Sequence, residues 1–226
     1  MAAPKSTPNS FLFLELGILP LEHEIAKRQL NFLHHILCLE EDDPVKNVYN
    51  VSRRLTHEKN WANTIHETLQ KYNLHAEIAS LTKDKWKNIV KTKVNDKAFD
   101  VLSADCGKGS KTSQLYYDCF KRQQYITSLS PHAARQVFRA RSRTIPCKRN
   151  QKESFENNLM CRTGCGVEEN QHHIINCPNI HGSDAEEITS DFLFSPDFDV
   201  DNHRTNISTL VSRIANAKDF VDEHTA

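Results

Sequence analysis

Apolar residues recur along this chain at intervals of three and four, the period of a helix with one buried stripe. Residues 21 to 39, LEHEIAKRQLNFLHHILCL, set Leu21, Ile25, Phe32, Leu33, Ile36 and Leu37 at that spacing. EEDDP closes the pattern, because Pro44 cannot continue a helix. A second helix is predicted over VKNVYNVSRRL, residues 45 to 55. A third opens at Asn60, a good N-cap, and aligns Trp61, Ile65, Leu69 and Tyr72. A fourth begins near Thr82 and runs through Trp86, Ile89, Val90 and Val94 towards Phe99. The spacing assigns these aromatics to a core.

A further helix is expected near residues 113 to 128. Ser130-Pro131 then supplies an N-cap followed by proline at the first helical position. The helix it opens, PHAARQVFRARSR, turns Ala134, Val137 and Phe138 inward and most of its arginines the other way. Near the end, NISTLVSRIANAKDFV places Ile207, Leu210, Val211, Ile214, Ala217 and Val221 at helical spacing. No internal repeat and no long low-complexity tract interrupts the series.

Composition adds two constraints. The apolar run FLFLELGILPLEH is broken by Glu15 and Pro20, short of the ~20 apolar residues a membrane-spanning helix needs. The start, MAAPKSTPNS, is polar and lacks a secretory pattern, so an intracellular, non-secreted protein of nucleus or cytoplasm is expected. The sequons at Asn50 and Asn206 would then go unused. With seven cysteines, an odd number, a disulfide framework is the weaker reading.

Charge is balanced overall, 29 basic against 29 acidic residues, but it is segregated. Between Asp118 and Glu153 stand nine Lys or Arg and no acid; between Arg162 and Arg204 stand nine acids and no Lys or Arg. Neighbouring charges of one sign act together over about 8 Å at physiological salt.

The stretch CRTGCGVEENQHHIINCP, residues 161 to 178, holds three of the cysteines and two histidines. Zinc takes four tetrahedral ligands and favours thiolate sulfur and neutral imidazole nitrogen. Gly164 and Gly166 relax the backbone so that Cys161 and Cys165 can turn towards one point. Cys177 gives a third sulfur, and the fourth ligand is His172 or His173. HHIINC reads as the start of a helix, where residues four apart share a face; that favours His173 with Cys177. The expected metal ligands are therefore Cys161, Cys165, His173 and Cys177, with Ile174 and Ile175 packed beneath. Four protein ligands leave no open position for water, so the site reads as structural, not catalytic. The competing readings are three small buried hydrophobes and a Cys/His nucleophile pair, which lacks a third group nearby. Cys38, Cys106, Cys119 and Cys147 read as unliganded thiols. CGKGSKT, residues 106 to 112, lacks phosphate-loop spacing and reads as a surface connection.

Taken in order, these segments resemble the region downstream of the polymerase core in non-LTR (LINE-type) retrotransposon reverse transcriptases. LFLELGILPLEHEIAKRQLNFLHHIL is similar to the family's L-x-x-E-L-G-I-x-P segment with its R-x-L-x-F-L-H-H-I-L continuation. VFRARSRT resembles its F-R-x-R-[ST]-R-[MT] segment, and MCRTGCGVEENQHHIINCP its cysteine pair, acidic residues and E/Q-x-H-[IL]-[IL]-x-C. SDFLFSPDFDVDNHRTNISTLVSR resembles its acidic tail and final helix. The resemblance runs from about residue 11 to 220. The paired metal-binding aspartates of such a polymerase have no counterpart here: Asp42 and Asp43 stand in an acidic turn, not on a rigid scaffold.

The expected fold is mainly α: an irregular helical bundle with a small Cys/His zinc-knuckle-like module and a C-terminal helix. Its expected segments are a disordered N-terminus (1–10), a helical region (11–128), a basic helix with the knuckle (129–182), and an acidic linker with the C-terminal helix (183–226). The resemblance implies a non-catalytic fragment carrying one structural Zn2+. It implies contact with RNA or DNA phosphates through Arg135, Arg139, Arg141, Arg143, Lys148 and Arg149, with little sequence preference and with no membrane or small-molecule partner. The catalytic reverse transcriptase region would lie outside this chain. The alternatives are a helical scaffold whose basic face meets an acidic partner or its own acidic tail, and a decayed fragment without a selected role.

Overall fold

The computed structural model describes residues 7–55, 60–74, 78–108, 115, 117–150, 158–189, 191–195 and 198–224, with 219–224 as backbone. Helices dominate it: α1 (Asn9–Leu16), α2 (Leu21–Leu37), α3 (Pro44–Arg54), α4 (Trp61–Lys71), α5 (Lys83–Lys108), α6 (Tyr125–Ser128), α7 (Pro131–Arg141), α8 (Gln171–Asn176), α9 (Pro178–His181) and α10 (Arg204–His224). Among the described residues there is no strand, only an isolated antiparallel bridge between Met160 and Glu168. The mainly α class read from the periodicity holds. No helix among the described residues is long and apolar enough to cross a membrane.

The chain forms two compact units, one of Ile18–Leu102 and one of Met1–Gly17 with Ser103–Ala226. This division differs from the boundaries the sequence suggested. The residues up to Gly17 belong with the C-terminal half because Glu15 is bonded there, and α5 runs past the division at Leu102. Asn9 and Ser10 are helical and so do not belong to the disordered N-terminus expected over 1–10; residues 1–6 lie outside the described ones.

In the Ile18–Leu102 unit, caps set the helix starts. The Asp43 side chain accepts from Val45 N at 2.8 Å and opens α3; Asn60 accepts from Ala62 N at 2.9 Å and opens α4. α4 closes on Asn73, which takes the left-handed conformation (φ 51°), so that Leu74 N donates to Leu69 O and Asn73 N to Gln70 O. The core joins Leu30, Leu33 and Ile36 of α2 to Ile65, Leu69, Trp86, Val90 and Val94.

The inward face of α2 corrects the sequence reading. Leu21 (74 % exposed), Ile25 (46 %) and Phe32 (50 %) point outward. His23, Ala26, Leu30, Leu33, His34 and Ile36 point inward. Counting apolar residues excluded the histidines, yet each is satisfied inside: His23 Nδ1 pairs with the Tyr72 hydroxyl at 2.9 Å and His34 Nε2 with Leu81 O at 2.9 Å. In α5 the buried stripe is Trp86, Val90, Val94, Ala98 and Leu102, and Ile89 faces out. Cys106, Gly107 and Lys108 complete α5, whereas 109–112 of the expected surface connection lie outside the described residues.

In the other unit, α1 was not expected, since FLFLELG shows no periodic polar face. It buries Phe11, Leu14 and Glu15, with the Phe11 ring 5.1 Å from Phe138 of α7. The helix expected over 113–128 reduces to Tyr125–Ser128; residues 113, 114 and 116 lie outside the described ones, and 117–124 are not helical. The reason is visible in its hydrogen bonds. This segment wraps the end of α1, with Gln123 N donating to Glu15 O at 3.0 Å and Arg122 Nε to Leu16 O at 3.3 Å. Ser130 caps α7 as expected, accepting from Ala133 N at 3.3 Å. α7 ends in a Schellman turn: Arg143 has φ 51°, Thr144 N donates to Arg139 O and Arg143 N to Ala140 O. α10 buries Ile207, Leu210, Ile214 and Ala217; Val211 is half-buried, and the Val221 side chain lies outside the described residues.

Candidate metal centre

The cysteine-rich stretch folds as a glycine turn followed by a short helix. The Met160–Glu168 bridge brings its two arms together, with Cys161 N donating to Val167 O at 2.8 Å and Glu169 N to Leu159 O at 2.7 Å. Gly164 (φ 77°) and Gly166 (φ 76°) are both left-handed, and Gly164 N donates to Cys161 O. No heavy atom outside the turn lies within 4 Å of where a Cβ would stand on either, so the backbone angle, not crowding, calls for glycine. Asn170 caps α8 by accepting from His173 N at 2.9 Å. α8 delivers His173 and ends at Cys177, where Pro178 starts α9. Ile174 and Ile175, each 1 % exposed, form the floor.

Cys161, Cys165, His173 and Cys177 meet, with all four donor atoms within 4.8 Å of one another. Cys177 Sγ lies 3.9 Å from Cys161 Sγ and 3.8 Å from Cys165 Sγ; His173 Nε2 lies 3.1 Å from Cys165 Sγ. A tetrahedron with metal–sulfur arms of about 2.3 Å has edges of about 3.8 Å, so the sulfurs are spaced to share one ion. The group can hold a metal ion, and three sulfurs with one nitrogen complete a tetrahedron without a place for water. His172 is not part of it: its Nε2 faces Glu187 Oε1 at 3.3 Å. All seven cysteines are free thiols.

The donors differ in their electrostatics. Burial raises the Cys161 thiol to about 11. Burial would raise Cys165 too, but hydrogen bonds from Thr163 and the neighbouring thiols prevail and hold it below the ordinary thiol value. A cation among such sulfurs favours their thiolate forms. Burial lowers His173, which keeps the imidazole in the neutral form that binds metals. Thr163 Oγ1 stands 3.0 Å from Cys161 Sγ and 3.2 Å from Cys177 Sγ, placed to hydrogen-bond to sulfur.

A second set of residues holds this module in place, and sequence reasoning missed all of them. Glu169 is fully buried; its carboxylate accepts from Lys148 N at 2.9 Å, Arg162 N at 3.1 Å and Arg162 Nε at 2.9 Å. Burial works against that charge, but the bonds from Arg162 and Lys148 win and hold the carboxyl below its usual range. Gln171 Nε2 donates to Ala140 O at 2.8 Å and ties α8 to α7. Arg213 of α10 donates to Asn176 Oδ1 at 2.7 Å. For Arg162, Glu169 and Gln171 the only sequence signal was position, within a few residues of a ligand; Lys148 and Arg213 lie farther along the chain and gave none.

The six basic candidates do not form one surface. Arg141 is 2 % exposed, bonded through Nε and Nη2 to Glu15 and through Nη1 to Leu193 O. Lys148 is buried, and its Nζ donates to Met160 O at 2.7 Å. Neither can reach a phosphate, so both leave the nucleic-acid set. Arg143 lies over the Phe194 ring at 5.4 Å, and Arg149 pairs with Glu168 at 3.2 Å. Arg135 is exposed and Arg139 half-buried on α7. α5 also carries exposed lysines, unremarked in the sequence: Lys83, Lys87 and Lys91 follow one another a turn apart on one side, while Lys85, Lys93 and Lys97 lie elsewhere on the helix. Among known protein families, curated proteins and solved structures, none matches this chain.

Proposed function

We propose that the chain is a zinc-stabilised nucleic-acid-binding module derived from a non-LTR retrotransposon reverse transcriptase, without catalytic activity of its own. The observation that carries this reading is the Cys161, Cys165, His173 and Cys177 cluster, with Cys177 Sγ 3.9 Å from Cys161 Sγ and 3.8 Å from Cys165 Sγ. Three sulfurs and an imidazole are a donor set that zinc favours over magnesium or calcium, which take oxygen. Zinc held there fixes the glycine turn against α8. Through Gln171, bonded to Ala140 O, it also steadies the end of α7 beside half-buried Arg139. Phosphate contact by arginine is insensitive to sequence and weakens as salt rises.

Elemental analysis of the purified protein tests the first half: about one zinc per chain is expected. Gel shift with single-stranded RNA across a salt series tests the second, with affinity falling steeply as salt increases. Protein without zinc, or a shift indifferent to salt, would remove the corresponding half.

The inward turn of Arg141 and the Arg149–Glu168 pair favour a second reading, a helical scaffold whose basic residues mainly knit its own fold. That reading expects no RNA shift at any salt.

A further inference from the structure

α7 carries His132, Arg135 and Arg139 three and four residues apart, which places them along one face. Two like charges sit a single turn apart there, and among the described residues no acidic side chain pairs with either arginine. The Nε–H of Arg139 is buried and has no hydrogen-bond partner among the described residues. One turn back, the amide oxygen of Gln136, a residue 5 % exposed, also lacks one. An unmet buried donor on a half-buried guanidinium, with a neighbouring cation to repel, is a costly arrangement that an anion reaching its exposed side relieves. Burial and the nearby Arg135 both lower Arg139, in keeping with a charge that has no counterion of its own.

The backbone beneath is rigid. Arg139 O accepts from Thr144 N at 2.8 Å and from Ser142 Oγ at 3.2 Å, and Gln171 docks α8 on the next residue's carbonyl. We infer that Arg135 and Arg139 form a seat for one phosphate of a single-stranded nucleic-acid backbone. Arg139 gives a fixed fork with its Nε–H, and exposed Arg135 closes over the oxygens from outside. This rests on the proposed nucleic-acid function and narrows it from six basic residues to two. A planar guanidinium suits two phosphate oxygens at once, which a lysine cannot match.

The test compares three full-length proteins binding the same single-stranded RNA across a salt series: wild type, Arg135→Ala/Arg139→Ala, and Lys87→Ala/Lys91→Ala as a charge-matched control on α5. The arginine pair is expected to cost about 10- to 100-fold in affinity and to flatten the salt slope by about 0.7 or more. The lysine control should change affinity by less than about threefold. Metal content and thermal midpoint confirm folding; if the double variant is unstable, the exposed Arg135→Ala alone serves, with a smaller loss in the same direction. Equal losses in the two double variants, with wild type binding, would overturn the seat while leaving nucleic-acid binding in place. Absence of binding by wild type would sink both.

Discussion

Arg141 and Glu15 lie 126 residues apart in sequence and meet as a fully buried ion pair, with Arg141 Nη2 2.9 Å and Nε 3.0 Å from Glu15 Oε1. The same carboxylate accepts from the Tyr117 hydroxyl at 2.6 Å and from the Tyr125 hydroxyl. Arg141 spends its remaining nitrogen on Leu193 O and lies 5.8 Å from the Tyr125 ring and 5.3 Å from that of Phe198. A buried pair of this kind is tolerable only because its lone pairs and protons are almost all taken.

Removing one partner should therefore be far worse than trimming a spoke. Glu15→Ala or Arg141→Ala is expected to destabilise this unit by about 3–5 kcal/mol, because an uncompensated charge stays behind. Tyr125→Phe should cost about 1.5–3 kcal/mol, the value of one hydrogen bond to a charged group. Denaturant titration checks both; if Arg141→Ala proved as mild as Tyr125→Phe, the pair would not organise the fold.

The same cluster predicts an alkaline transition. Burial and the Glu15 charge push Tyr117 and Tyr125 well above the ordinary phenol value, and burial pushes Tyr72 up to about 12. For a group whose folded value is raised, the stabilisation is complete below the unfolded value, about 10 for tyrosine, and is lost as pH climbs through the folded one. Stability should hold up to about pH 10 and fall above it. Tyrosinate absorbance followed with circular dichroism should show these phenols ionising only as the helices melt. Full ionisation near pH 10 with helices intact would contradict the buried placement.

Much of this was readable in advance where the signal is local. Asn60 and Ser130 cap helices through bonds to residues two or three positions on, and the candidate metal ligands lie within one short stretch. His173 was separable from His172 because four residues along a helix return to the same side. What could not be read depended on partners distant in sequence. Glu15 in an apolar run looked like an interruption; only Arg141, Tyr117 and Tyr125 make it a core residue. Arg141 looked like one more surface arginine beside Arg139 and Arg143. His23 and His34 join Leu33 and Ile36 on the buried face of α2 because Tyr72 and Leu81 receive them, a fact no periodicity contains.

Two kinds of glycine should respond differently to substitution. Gly17 ends α1 at φ 58°, and a Cβ there would stand 2.4 Å from Arg122 N and 2.7 Å from Lys121 C. Those are backbone atoms of the segment that wraps α1, so relief requires moving that segment. Gly164 has φ 77° with open space around it. Gly164→Ala should cost about 1–2 kcal/mol from the backbone angle alone, while Gly17→Ala pays that and the clash together and should exceed it clearly. Equal thermal midpoints for the two variants would argue that the Lys121–Arg122 segment gives way freely.

Removing the metal should loosen one module and spare another. Folding of the glycine turn and α8 brings the three sulfurs and the His173 nitrogen within 4.8 Å of one another, an arrangement that a bound ion stabilises directly. Chelation is expected to raise hydrogen exchange across residues 158–181, with the amides that bridge Cys161 to Val167 and Glu169 to Leu159 among the first to open. The Ile18–Leu102 unit has its own core of Leu30, Leu33, Ile65, Trp86 and Val90 and should keep its protection. Cys165→Ser and His173→Ala should lower metal content and reproduce the loosening, whereas His172→Ala, which loses only an exposed contact to Glu187, should retain the ion. Loss of metal from His172→Ala with retention by His173→Ala would reassign the fourth ligand. Uniform melting of both units on chelation would mean that the ion sustains the whole chain and not a local turn.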